Sequence, residues 1–229
     1  MSKVMYYVFK RVLLGLLACL LLTGGAFASI NDMKIFELCQ KGTLQQIKDA
    51  INNGANVNAR FPITGATPLM WAAGYNPDPE VIVALVNAGA DVNEKSISGA
   101  TSLDWAITHN PNLEVITALV KSGFDVNLQN ENGMTPLMDV VRYSSNPEVI
   151  KALVRVGADV NAQGGFTRAT SLMRAAKYNT NPEFITTLLE LGADPKMKDY
   201  FGEMAIDYAK NNKALKNTEA LRRLEELSK

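Results

Sequence analysis

Apolar residues along this chain come in short bursts separated by turn-forming residues, not in long runs. Residues 144–161 read SSNPEVIKALVRVGADVN. Val149, Ile150, Leu153 and Val154 fall at i, i+1, i+4 and i+5, one stripe of an α-helix that leaves Lys151 and Arg155 outside it. Asn146 is placed to cap the first turn, Pro147 fits the first helical position, and Glu148 meets the positive end of the helix dipole. Gly157 supplies a left-handed residue to end the segment. A helix of about two and a half turns is marginal in water, so this one must pack against a neighbour.

The same device recurs. Thr-Pro-Leu or Thr-Ser-Leu begins at Thr67, Thr101, Thr135 and Thr170, at spacings of 34, 34 and 35 residues. A glycine lies two residues before the first three (Gly65, Gly99, Gly133), and Arg168 takes its place in the fourth. Each unit continues through Asp78-Pro79-Glu80, Asn112-Leu113-Glu114, Asn146-Pro147-Glu148 or Asn181-Pro182-Glu183 and ends in Gly-(Ala/Phe)-Asp. The pattern predicts turn, short helix, loop, short helix, with Asn76, Asn110 and Asn179 leaving the first helix in a left-handed conformation. No single unit buries its apolar faces, so the units must stack, and about three or more are needed for a stable core.

Gly65-Ala66-Thr67-Pro68-Leu69-Met70-Trp71-Ala72-Ala73, Glu80-Val81-Ile82 and Gly89-Ala90-Asp91-Val92-Asn93 together resemble the ankyrin repeat. The resemblance covers about residues 31–228 and implies an all-α solenoid of stacked helix-turn-helix units joined by β-hairpin or loop connections. It divides the chain into a signal peptide (1–28), an N-terminal capping unit (29–60), repeats at 61–95, 96–129, 130–163 and 164–198, and a C-terminal capping unit (199–229). The sequence departs from the family pattern in three ways. Met70, Asp104, Met138 and Met173 stand where the family carries histidine, so the usual imidazole hydrogen bonds are absent. The period is 34, against about 33 in the family. The hairpins at Arg60–Gly65 and Gln163–Arg168 are one residue longer than the others.

The first thirty residues follow a different logic. Lys3, Lys10 and Arg11 precede the apolar run Val12–Leu22, and Ala26-Phe27-Ala28 closes the segment. This order predicts a secretory signal cut after Ala28. Two other readings stand beside it. Residues 12–30 are uncharged and just long enough for an uncleaved membrane anchor, and Leu16-Leu17-Ala18-Cys19 loosely resembles a lipoprotein box. All three place the repeats outside the cytoplasm, in the periplasm or secreted. Cleavage removes three basic residues and no acidic ones from a chain with 23 of each, leaving a net charge of −3.

Composition argues against several functions. There is no basic stripe for nucleic acid. With one histidine (His109) and, after cleavage, one cysteine (Cys39), the usual nitrogen and sulfur metal site cannot be assembled. His109 sits at the helix end where other copies carry Tyr75, Tyr143 and Tyr178, so it reads as a repeat position and not as a general base. Asp91, Asp125, Asp159 and Asp194 recur with the period and read as hairpin hydrogen-bonders. Met70, Met138 and Met173 read as packing residues. No enzyme activity, cofactor or metal is expected.

Ankyrin stacks commonly bind proteins in a concave groove lined by hairpin tips and first helices, and the resemblance implies the same here. The helix-end positions are then Tyr75, His109, Tyr143 and Tyr178. The hairpin positions are Phe61, Ile63, Lys95, Ile97, Gln129, Glu131, Phe166, Tyr200 and Phe201, while Trp71, Trp105, Asp139 and Arg174 share one helix position. Of these, Phe61, Ile63, Tyr75, Ile97, His109, Tyr143, Phe166, Tyr178 and Tyr200 are the candidate partner-binding residues. Aromatic side chains with few charges suit the core of an interface. The same residues also suit plain groove lining, and the two tryptophans suit packing between helices. The expectation is a monomer that binds a protein partner, with loop-borne enzyme inhibition or a structural envelope role as the alternatives.

Overall fold

A computed structural model describes residues 30–110, 112–144 and 146–229. The expected signal peptide, with its alternatives, lies outside the described residues.

The chain is a row of helix pairs. α1 (Ile30–Lys41) and α2 (Leu44–Asn52) form the first unit. The first helices of the four central repeats are α3 (Pro68–Tyr75), α5 (Ser102–His109), α7 (Pro136–Tyr143) and α9 (Ser171–Tyr178). Their second helices are α4 (Pro79–Asn87), α6 (Glu114–Lys121), α8 (Glu148–Arg155) and α10 (Glu183–Glu190). α11 (Ala205–Asn211), a 3-10 turn (Lys213–Leu215) and α12 (Glu219–Leu227) close the stack. First helices pack on first helices and second on second, giving an inner and an outer layer. Among the described residues β pairing is confined to one isolated antiparallel bridge, Gly164 to Ala169.

Each first helix starts because a threonine hydroxyl takes the N–H of the third residue on: Thr67 from Met70, Thr101 from Asp104, Thr135 from Met138 and Thr170 from Met173. In three of the four repeats the residue standing for the family histidine also takes a backbone N–H. Met70 and Met173 accept the Thr67 and Thr170 N–H on sulfur at 3.4 Å, and Asp104 accepts that of Thr101 on a carboxylate at 2.7 Å. The second helices differ slightly from expectation. α8 begins at Glu148, one residue later than Asn146 as N-cap and Pro147 as first helical residue would give. Asn146 still caps it, because its side-chain oxygen accepts the Glu148 N–H at 3.0 Å. Asp78, Asn112 and Asn181 do the same for Glu80, Glu114 and Glu183. Gly157 ends α8 at φ +101, as expected of a left-handed terminator.

The asparagines after the first helices overturn the left-handed expectation. Asn76, Asn110 and Asn179 are extended, with ψ between 124 and 142. That conformation turns each side chain back onto the preceding repeat. Asn76 Nδ2 donates to the Gly42 and Cys39 carbonyls, Asn110 Nδ2 to Ala73 and Asn76, Asn179 Nδ2 to Val141, and Asn212 Nδ2 to Ala176 and Asn179. Buried carbonyls at helix C-termini are thereby satisfied. The third repeat has Ser144 at this position, and its hydroxyl bonds Asn146 within its own loop.

The core runs the length of the stack. Val81, Ile82 and Leu85 of α4, Val115, Ile116 and Leu119 of α6, and Val149, Ile150 and Leu153 of α8 are all buried. Packing between inner helices is uneven. α3 offers Ala72, Ala73 and Gly74, and a Cβ added to Gly74 would lie only 3.2 Å from the Trp105 ring. α5 and α7 carry Ile107, Val140 and Val141 at the positions of those alanines. Bulkier side chains hold helix axes further apart, and α5 packs less extensively on α7 than any other inner helix does on its neighbour.

Candidate partner-binding face

The hairpins between units follow one another along one edge, and three of the neighbouring pairs are joined through backbone. Ile97 N–H donates to the Thr64 carbonyl, Gly165 N–H to Gly133, and Tyr200 N–H to Thr167, each at 2.8–2.9 Å. Asp91, Asp125, Asp159 and Asp194 each accept the N–H two residues on and fix the turns, the role expected from their period. The edge is thus tied in two segments, one through Thr64 and Ile97 and one through Gly133, Gly165, Thr167 and Tyr200, and it carries exposed apolar side chains: Ile63, Ile97, Phe166, Tyr200 and Phe201. Phe166 is fully exposed at its tip. Tyr200 and Phe201 stand edge to face with ring centroids 5.5 Å apart.

Phe61 departs from its expected place on this edge. It is 6% exposed and packs against Phe36 and Trp71 with centroids at 5.4 Å in both cases, so it is core. The extra residue in its hairpin puts Ile63 at the tip, while the Phe61 N–H bonds the Ala66 carbonyl and turns its ring inward.

Behind the edge, the inner helices present a graded surface. Trp71, Tyr75, Trp105 and His109 form one continuous aromatic cluster, with centroid separations of 5.3–5.9 Å. Trp71 is buried, Trp105 and Tyr75 are half-buried, and His109 is exposed. The Tyr143 side chain lies outside the described residues. Tyr178 is exposed, with the Arg142 guanidinium 5.0 Å and the Lys177 ammonium 5.3 Å from its ring centroid. The groove is thus aromatic at its N-terminal end and cationic over aromatic at its C-terminal end. Nearby, the Tyr208 hydroxyl donates to Asp199 at 2.5 Å, and desolvation with that bond pushes its pKa up to about 12.

Between these ends the groove opens into a cleft of about 260 Å³ where α5 and α7 part. Asp104 and Asp139 lie in its wall, beside Phe124, Leu128 and Met134, with Lys95 and Glu131 also lining it. Asn130 Nδ2 donates to Asp139 at 3.2 Å. The Asp139 carboxyl is raised to about 6, first by desolvation and then by the Asp104 charge, against the opposing effect of Arg174 and Arg142. The sequence reading did not single out this cleft. Its signal was legible all the same: two aspartates in neighbouring repeats, one at a position otherwise methionine and one at a position that is tryptophan in the two preceding repeats and Arg174 in the next.

Cys39 is buried, and burial raises its thiol pKa, so it behaves as a small hydrophobe. Among the described residues no three His, Cys, Asp or Glu side chains come together in a way that could hold a metal ion. Among the described residues no helix is long and apolar enough to cross a membrane.

A family model described as "Ankyrin repeats (3 copies)" matches residues 35–130 and 105–199, and the chain belongs to the ankyrin-repeat family. No protein of curated function matches the sequence. Among solved structures, the chain is similar to a chain of "Bd0816 Predatory Endopeptidase from Bdellovibrio bacteriovorus in complex with immunity protein Bd3460". The TM-score is 0.64 and the identity 26%, over 84% of this chain and 96% of that one. Protein–protein interaction is what the ankyrin repeats indicate.

Proposed function

We propose that this is an exported, non-enzymatic module that binds a protein partner through the hairpin edge and the concave inner-helix surface behind it. The observation that carries the reading is the row of exposed apolar tips on hairpins, three of whose neighbouring pairs are tied through backbone. Ile97 is 75% and Tyr200 73% exposed, and apolar side chains gathered along one edge suit an interaction surface. Export rests on the order of basic, apolar and small residues before Ser29. The test is affinity capture from the exporting compartment with wild type and a Phe166→Ser, Tyr200→Ser variant in parallel. A protein retained by wild type and lost by the variant supports the face. Equal retention by both removes it.

A second reading narrows the first: inhibition of an endopeptidase, as an immunity protein. It is favoured by the similarity, along nearly the whole length of that chain, to a protein solved with a predatory endopeptidase. The exposed Phe166 hairpin is a segment that could enter a cleft. Stoichiometric loss of endopeptidase activity on addition of the protein separates inhibition from simple tethering, which would leave activity unchanged.

A further inference from the structure

The repeat register shows what is unusual about the cleft between α5 and α7. At one inner-helix position the four repeats carry Trp71, Trp105, Asp139 and Arg174, and at the preceding position Met70, Asp104, Met138 and Met173. Asp104 thus stands where the other repeats have methionine, Asp139 stands where the two preceding repeats have tryptophan, and both aspartates line the same space. The run of tryptophans ends at Trp105, since Asp139 holds the same position in the next repeat. Asp104 closes its helix cap and Asp139 accepts from Asn130, yet the two carboxylates face one space and repel each other there.

We infer that this cleft receives a lysine or arginine side chain of the bound protein, an inference that rests on the partner-binding function proposed above. Size is the first argument. About 260 Å³ is below the usual range for a drug-sized ligand, roughly 300–1,000 Å³, but admits one long side chain. The lining is the second. Phe124, Leu128 and Met134 offer apolar wall to a methylene stem, and Asp104 and Asp139 offer carboxylates to the charged head. Charge is the third. The ionisable lining residues are Lys95 against Asp104, Glu131 and Asp139, so the cleft is net acidic. Arg142 from α7 and Arg174 from α9 act on Asp139 but do not outweigh burial and Asp104. An incoming cation would relieve that repulsion.

The test uses carboxyl and amide NMR of the folded protein, titrated with N-acetyl-arginine methylamide and, separately, with the uncharged N-acetyl-citrulline methylamide. Saturable shifts at the Asp139 carboxyl and the Gly99 and Asn130 amides are expected with arginine. Binding should be at least tenfold weaker for citrulline and for Asp139→Asn. Asp139→Trp, which restores the residue of the two preceding repeats, should fold and abolish the response. The Asp139 titration midpoint should fall when arginine is bound. Absence of localised shifts, an equal response to citrulline, or an unchanged response in both variants would overturn the inference. The probes need no partner, so such a failure leaves the partner-binding reading standing, whereas failed capture with intact arginine binding removes that reading alone.

Discussion

Asn110 reaches across to the preceding repeat and donates to the backbone carbonyl of Asn76 at 2.8 Å, while a second donation goes to Ala73 at 2.8 Å. Its own side-chain oxygen accepts the Asn112 N–H at 2.9 Å. One buried amide thus ties a helix end to its loop and to the next unit. Asn110→Ala should cost about 2–3 kcal/mol, because it leaves buried carbonyls without donors. Urea unfolding measures this directly. The reciprocal change, Ser144→Asn, supplies the missing rung and should raise stability by about 1 kcal/mol.

Leu119 is fully buried in the middle of α6, with α4 and α8 packed on either side of that helix. Leu119→Ala should cost roughly 2–5 kcal/mol, the range for truncating a buried leucine. A urea midpoint equal to that of wild type would show that the outer-helix stripe is misplaced.

Arg168 occupies the left-handed region at φ 54, where the other repeats use glycine. A side chain there is strained by about 1 kcal/mol. Arg168→Gly should therefore stabilise the fold by up to that amount, less the Gln163 contact it loses. Thermal melting of the pair decides the sign.

Asp139 holds its proton in the folded state up to about pH 6, against an ordinary value of 3.8. The folded state binds more protons than the unfolded state between these values, so this residue's contribution to stability is lost as pH rises through about 4 to 6. Asp139→Asn should flatten that part of the profile and be about 1 kcal/mol more stable than wild type at pH 7, a modest figure because water screens a half-exposed carboxylate. Chemical denaturation at several pH values between 4 and 7 gives the comparison.

Phe166 contributes no burial, so Phe166→Ala should leave the unfolding midpoint unchanged. If its tip anchors a partner, the same change should weaken that complex at least tenfold. Tyr178→Ala should behave similarly, since its ring is exposed between two cations. Calorimetric titration with the captured protein reads both.

Most of the architecture was legible because each unit repeats its own punctuation. Thr67, Thr101, Thr135 and Thr170 cap helices as their sequence predicts, and Gly157 ends one. What failed was conformational detail decided by contacts beyond the unit. Asn76 and Asn110 suit a left-handed exit in isolation, but two carbonyls of the preceding repeat reward the extended form. Phe61 shares a hairpin position with exposed residues, yet one inserted residue moves the tip to Ile63 and turns the ring inward. The cleft escaped notice for a similar reason. Asp104 and Asp139 are 35 residues apart in sequence and meet only because consecutive repeats stack.

The sparse packing between α5 and α7 bears on how the chain comes apart. In a stack of units, stability is the sum of what each contributes alone and what each interface adds, and cooperativity passes only from neighbour to neighbour. A weak interface in the interior divides the row into two blocks that open separately, and amide exchange should be fastest along that seam. A protein that grips hairpins on both sides of it would do more than occupy a surface. It would couple the two blocks, and the affinity measured would include the work of holding them in register.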